Sequence, residues 1–164
     1  MMREAAPTSR VKSLTDGEAY AASLRAAGRR VVFTNGVFDI LHPGHLRYLQ
    51  QARALGDALI VGLNADASVR RNKGTQRPIN DEHERAEILA ALECVDAVVI
   101  FGEDTPAGII RAIQPDILVR GADWAEDAIV GRDTVEARGG RVVRVPIEQG
   151  FSTSSIIEKI KALP

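Results

Sequence analysis

Cysteine is almost absent from this chain: Cys94 stands alone among 164 residues. A single cysteine excludes an internal disulfide and a cysteine-based zinc site, and it fits a reducing compartment. An excess of charge is lacking too. The formal net charge is −1, so the balance points to neither nucleic acid nor an anionic membrane surface as a partner. No apolar stretch is long enough to span a bilayer, and 1–12 lacks the apolar core a secretory leader needs. The expectation is a soluble cytoplasmic protein. Neither the dinucleotide fingerprint G-x-G-x-x-G nor the P-loop occurs, which counts against a dehydrogenase and a P-loop kinase. There is also no evident Ser-His-Asp set and no carboxylate dyad.

What is present is a 45% hydrophobic composition, enough for one domain with a sizeable core. Short runs rich in Val, Ile and Leu recur at 31–34, 58–63, 97–101, 117–120 and 141–145. They are continuous rather than alternating, as buried parallel strands are. Helical patterns lie between and after them, at 45–55, 81–93, 106–113, 132–137 and 155–162. This alternation predicts a doubly wound α/β parallel sheet in a single domain over 30–164. Residues 1–29 read as an N-terminal extension: polar and mobile to about Ser13, then a short helix capped by Thr15 or Asp16 and closed by Gly28.

The run from Phe33 to His45 ends the first long strand in a polar turn, and Pro43-Gly44 then opens a helix. A helix N-terminus carries unpaired N–H groups and partial positive charge, which makes it an anion site. Pro43 suits the first helical position because it has no N–H to leave unpaired. His42 and His45, one turn apart, share a face and point at that anion. The bland alternative is a helix cap and a packing histidine. Zinc is disfavoured, because His83 lies in the charged run 81–85 and no third ligand is evident.

Four other places fall near predicted strand or helix ends. Ser152, Thr153, Ser154 and Ser155 are four consecutive hydroxyls where the last helix begins. Ser155 and Glu158 make a capping box, yet one cap does not require four hydroxyls. Arg70, Arg71, Lys73 and Arg77 form the densest basic stretch, read as a loop in which Lys73-Gly74 closes over a phosphate. Arg77 and Arg85 suit structural ion pairs equally well. Asp66, after the second long strand, is placed to bind acceptor hydroxyls, and Arg120 to Trp124 end the fourth. Trp124 is the only tryptophan and suits either contact with a base or acceptor or a cap on the core.

The motif Gly36-x-Phe38-Asp39-x-x-His42-x-Gly44-His45 resembles the HxGH signature of the Rossmann-like α/β nucleotidyltransferases. These join a nucleoside triphosphate to a phosphorylated acceptor with loss of pyrophosphate. The resemblance implies that His42 and His45 donate to the triphosphate and that Thr34, Asn35, Gly36, Val37 and Phe38 cradle the α-phosphate. It adds Gly44, Lys73 and the Ser152-Thr153-Ser154 run to the phosphate contacts, and Arg120, Gly121 and Asp123 beside base and ribose. Asp39, Asp66 and Trp124 are then the acceptor-binding candidates, and Mg²⁺ comes with ATP through ligands the sequence leaves unknown. Such a site needs no general base when the acceptor is a phosphate monoester, already ionised above its second pKa of about 6.

Further stretches narrow the resemblance to the adenylyltransferases of ADP-heptose synthesis: Lys12-Ser13-Leu14, Arg47-Tyr48-Leu49, Arg77-Pro78-Ile79-Asn80, Glu103-Asp104-Thr105-Pro106 and 115–119. That family transfers AMP from ATP to D-glycero-β-D-manno-heptose 1-phosphate for the lipopolysaccharide core. It implies a homodimer working alongside a sugar kinase and a phosphatase of the same pathway. Many relatives carry an N-terminal sugar kinase, for which 164 residues leave no room, so the kinase is expected to be a separate protein. Relatives also often have Lys-Gly-Gly-Asp where this chain has Arg120-Gly121-Ala122-Asp123, which keeps the positive charge and Asp123. The rival readings are a cytidylyltransferase acting on glycerol 3-phosphate and a non-catalytic nucleotide-binding domain. A tRNA-charging enzyme is disfavoured, since no tRNA-binding domain fits in this length.

Overall fold

The computed structural model describes residues 6–164. The strands are β1 (Val11–Lys12), β2 (Val31–Gly36), β3 (Ala58–Asn64), β4 (Ala97–Phe101), β5 (Ile117–Gly121) and β6 (Arg141–Val145). The helices are α1 (Leu14–Ala26), α2 (Pro43–Arg53), α3 (Asp66–Lys73), α4 (Glu82–Ala91), α5 (Ala107–Ile113), α6 (Arg132–Glu136) and α7 (Thr153–Lys161). The strands form one parallel sheet in the order β1-β4-β3-β2-β5-β6.

Successive strand side chains point to opposite faces, so each central strand feeds two cores. Val31 and Phe33 of β2 join Ala58, Ile60, Ala97 and Val99 beneath α1, α5 and α6. Val32 of the same strand joins Leu59, Val61 and Val98 beneath α2 and α4. Leu49 of α2 and Leu89 of α4 are fully buried there, each contributing roughly 1.5–3 kcal/mol. A strand apolar on both faces has no polar positions to alternate with, which is why these runs read as continuous.

Four local expectations are corrected. Up to Ser13 the described residues are built into the domain: Pro7–Arg10 form a 3-10 turn, and β1 pairs with β4. The expected mobility of 1–5 lies outside the described residues. Arg10 Nη1 donates to the carbonyls of Ala90, Leu92 and Val95 (3.0–3.3 Å), so a cation closes the C-terminal end of α4. The cap of α1 is Ser13, not Thr15 or Asp16, because its hydroxyl accepts the N–H of Asp16 at 3.1 Å.

The basic stretch, expected as a loop, belongs largely to α3. Only Ser68 and Val69 of that helix are buried, too narrow a stripe to show as periodicity. Its Arg70, Arg71 and Lys73 fall in the last turn, where positive charge meets the helix dipole. Finally, α7 starts two residues earlier than expected. Ser152 is its extended N-cap, accepting the Ser155 N–H at 3.0 Å. Glu158 pairs with Lys161 instead of closing a box with Ser155.

Candidate active site

The sheet opens where the strand order changes direction. β2 pairs with β3 as far as Gly36, but its pairing with β5 ends at Phe33↔Leu118. Beyond that point side chains take over from the ladder. The Val119 carbonyl accepts from Thr34 Oγ1 (2.9 Å) and from the Tyr48 hydroxyl (3.3 Å), which also contact each other at 2.7 Å. Arg120 Nη1 donates to both the backbone carbonyl and Oδ1 of Asn35, at 3.0 and 2.8 Å. In open α/β sheets such a switch point is where ligands enter.

The turn leaving β2 carries Phe38 at φ 47°, a left-handed conformation uncommon for a bulky residue. That geometry lays its ring against Gly36, where a Cβ would sit 2.9 Å from Phe38 Cε2. The ring edge meets His45 at 5.3 Å between centroids. His42 is the N-cap of α2, and its Nδ1 accepts the backbone N–H of His45 at 3.3 Å. An accepting Nδ1 carries no proton, so the neutral ring holds its proton on Nε2. The two imidazoles stack at 3.7 Å, 20° from parallel. Gly44 permits this, since a Cβ there would lie 3.0 Å from His42 Nδ1 and 3.1 Å from Phe151 Cβ.

Burial lowers the pKa of His42. It lowers that of His45 more, to about 4, with His42 and Lys73 adding repulsion. His45 Nδ1 is buried without a hydrogen-bond partner. Both rings are therefore neutral at pH 7, and each neutral imidazole has one N–H to donate.

Asp39 is 3% exposed, and its carboxylate is a fastening. It accepts the N–H groups of Ile79 and Asn80 at 2.9–3.0 Å and pairs with Arg77 Nε at 3.1 Å. Arg85, 1% exposed, is a second fastening from α4. It donates to the carbonyls of Val37, Asn64 and Asn80 and pairs with Asp66 at 2.7 Å. Together they bind the β2–α2 turn to the end of β3 and to the segment before α4. Arg77 and Arg85 thus make structural ion pairs.

A cavity of about 440 Å³ opens over these elements. The β2 turn contributes Asn35, Gly36, Val37, Phe38 and Asp39, and α2 contributes His42, Gly44 and His45. Lys73 reaches it from the end of α3, and Arg120, Gly121, Asp123 and Trp124 from the end of β5. Ser152, Thr153 and Ser154 enter at the start of α7. Thr153 Oγ1 donates to the Ile40 carbonyl at 3.2 Å, which ties α7 to the histidine turn. Two predicted residues are not brought in. Thr34 is fully buried and spent on Val119 and Tyr48, and Asp66 faces Arg85.

Residues 33–159 match the family model described as cytidylyltransferase-like. The chain belongs to the cytidylyltransferase-like family. Among its relatives is the bifunctional protein HldE of Citrifermentans bemidjiense, 58% identical over 153 residues, 93% of this chain and 31% of that protein. HldE of Trichlorobacter lovleyi is 58% identical over 139 residues, 85% of this chain and 28% of its own. The chain therefore spans about a third of the curated relatives it matches. A solved structure, the lipopolysaccharide core biosynthesis protein from Thermoplasma volcanium GSS1, superposes with a TM-score of 0.61 at 35% identity. That match covers 74% of this chain and 98% of the other. The cytidylyltransferase-like span begins in β2 and holds both histidines and the hydroxyl run, while β1 and α1 lie before it.

Within this cytidylyltransferase-like site, sequence reading passed over Tyr48, Ile147, Glu148 and Phe151 as lining residues. Phe151 lies parallel to His42 at 6.2 Å and beneath the Arg47 guanidinium, which pairs with Glu148. The position of Phe151 directly before the hydroxyl run, and that of Tyr48 within Arg47-Tyr48-Leu49, were the available signals. No helix among the described residues is long and apolar enough to cross a membrane.

Proposed function

We propose that the domain transfers AMP from ATP to D-glycero-β-D-manno-heptose 1-phosphate, releasing ADP-heptose and pyrophosphate for lipopolysaccharide core synthesis. One observation carries the reading: the N-termini of α2 and α7 converge on a single cavity with two neutral imidazoles between them. The relatives, at 54–58% identity over more than nine-tenths of the chain in two cases, support it.

An ionised oxygen of the acceptor phosphate attacks the α-phosphorus. A new P–O bond forms as the bond to the β-phosphate breaks, and pyrophosphate leaves with the electron pair. The nucleophile carries no proton at neutral pH, so alignment and charge neutralisation suffice. His42 Nε2–H and the His45 ring donate to the departing phosphates. The amide groups opening α7 and the Ser152 and Ser154 hydroxyls hold them from the other side, and Lys73 adds a point charge. Gly121, Ile147 and Phe151 offer the base an apolar shelf.

Among the described residues no group of three His, Cys, Asp or Glu is placed to hold a metal ion. A Mg²⁺ accompanying the triphosphate would find Asp123 among the lining carboxylates, with Asp39 and Glu148 already paired to Arg77 and Arg47. Bound there, it would offset phosphate charge. The reading further implies a kinase that supplies the sugar 1-phosphate, a homodimer, and a cytoplasmic setting for the lone Cys94.

The test is pyrophosphate release with ATP and a panel of sugar phosphates. Heptose 1-phosphate is expected to turn over without added kinase, and heptose 7-phosphate to fail. Misplacing a nucleophile by about 1 Å costs on the order of 10²-fold. Better turnover of CTP with glycerol 3-phosphate would refute the heptose assignment. Nucleotide binding without pyrophosphate release would reduce the domain to a sensor.

A further inference from the structure

We infer that the sugar of the acceptor is read in a second, smaller cavity, with Asp104 and Thr105 as the groups that select its hydroxyls. This rests on the sugar 1-phosphate reading above and adds where its specificity is set. The cavity measures about 130 Å³ and is lined by Asp104, Thr105, Pro106, Arg120, Trp124 and Val130. Small-molecule sites run to roughly 300–1,000 Å³, so this one takes an end of a molecule, not a whole nucleotide. Arg120 and Trp124 line both cavities, with the guanidinium 4.8 Å from the indole centroid. Their stack is the partition between the two.

Position favours the acceptor. Pro106 is the N-cap of α5 and Val130 stands just before α6, so the small cavity opens on the face those helices cover. The histidines sit on α2, which covers the opposite face. In phosphoryl transfer the attacking and leaving oxygens lie roughly in line across phosphorus. With pyrophosphate held at α2 and α7, the acceptor arrives from the far side, past Arg120 and Trp124.

Lining chemistry agrees. A sugar presents C–H surface to an apolar wall and O–H donors to a carboxylate. Trp124, Pro106 and Val130 give the wall, and Asp104 and Thr105 the polar contacts. Arg71 Nε donates to Asp104 Oδ1 at 2.8 Å and Arg71 Nη2 to the Gly102 carbonyl at 2.8 Å, which fixes the carboxylate at the rim.

The experiment compares wild type with Asp104→Asn and Val130→Phe, both changes at exposed positions, with folding checked by thermal melting. Steady-state pyrophosphate release is measured with heptose 1-phosphate and with a hexose 1-phosphate of the same anomeric configuration, which lacks the seventh carbon. Losing a hydrogen bond to a charged group should raise the acceptor KM of Asp104→Asn roughly 10–100-fold while the ATP KM stays within about twofold. Val130→Phe should raise the acceptor KM as well, and the preference for heptose over hexose should shrink in Asp104→Asn. Unchanged acceptor KM in both folded variants overturns the inference alone, as does a rise confined to the ATP KM. If wild type releases no pyrophosphate with any sugar 1-phosphate, the reaction falls and the inference with it.

Discussion

The Nδ1 of His42 accepts the His45 N–H, so the same ring caps α2 and aims a fixed Nε2–H at the cavity. The helix-cap and phosphate-donor readings are therefore compatible. His42→Ala and His45→Ala should fold, yet lose about 10²–10³ in kcat, as enzymes do on losing one donor to developing charge. Near-normal turnover by both at saturating substrates would remove them from the site. Gly44→Ala separates stability from chemistry. Gly44 lies in the first turn of α2, where Ala gains less than the about 1 kcal/mol it gains over Gly in a helix interior, and its Cβ would press on His42 and Phe151. The expected result is an unfolding midpoint near wild type in urea with a clear drop in kcat. His45 also gives a pH signature. Its folded pKa, about 4, lies below the unfolded value of about 6.5, so the unfolded chain binds more protons between the two. Stability should fall as pH drops through that window and level off below it. His45→Phe should flatten that slope in denaturation measured across pH.

Arg85 shows how one side chain holds together the β2–α2 turn, the end of β3 and the segment before α4. Arg85→Met strands the carbonyls of Val37, Asn64 and Asn80 and leaves Asp66 unpaired. Breaking a buried pair from one side costs about 3–5 kcal/mol, and the partial exposure of Asp66 puts this case near the lower end. Urea unfolding measures it. Lys73→Ala should do the opposite, leaving stability within about 1 kcal/mol as exposed charges do while raising the ATP KM. A variant with unaltered kinetics would strike Lys73 from the site. The helices and strands that position these groups were readable because β2 to β5 are apolar on both faces and α2 and α4 carry clear core residues. What could not be read rests on distant partners. The carboxylates of Asp39 and Asp66 look like ligand contacts until Ile79, Asn80 and Arg85 fold onto them. α3 hides because two buried residues make no periodic pattern. β1 is two residues long and exists through its pairing with β4.

Across the whole molecule, alternating strands and helices announced the fold class, but no local pattern says that β4 and β5 lie on opposite sides of β2 and β3. That order creates the cavity, and ligand linkage can report on it. At 100 times its Kd, Mg²⁺-ATP should stabilise the fold by about 2.7 kcal/mol, raising Tm by roughly 5–10 °C for a chain of this size. CTP at the same concentration should raise it less, and a larger shift with CTP would reverse the base assignment.

The early end of the β2–β5 ladder has a consequence for how substrates enter. Thr34, Tyr48 and Arg120 satisfy the Val119 and Asn35 carbonyls that a longer ladder would have used. No incoming ligand has to unzip backbone pairs or leave a buried carbonyl thirsty. The parting of the strands happens once, as the chain folds, and is wedged open from then on. Association should accordingly be quick and little slowed by conformational waiting.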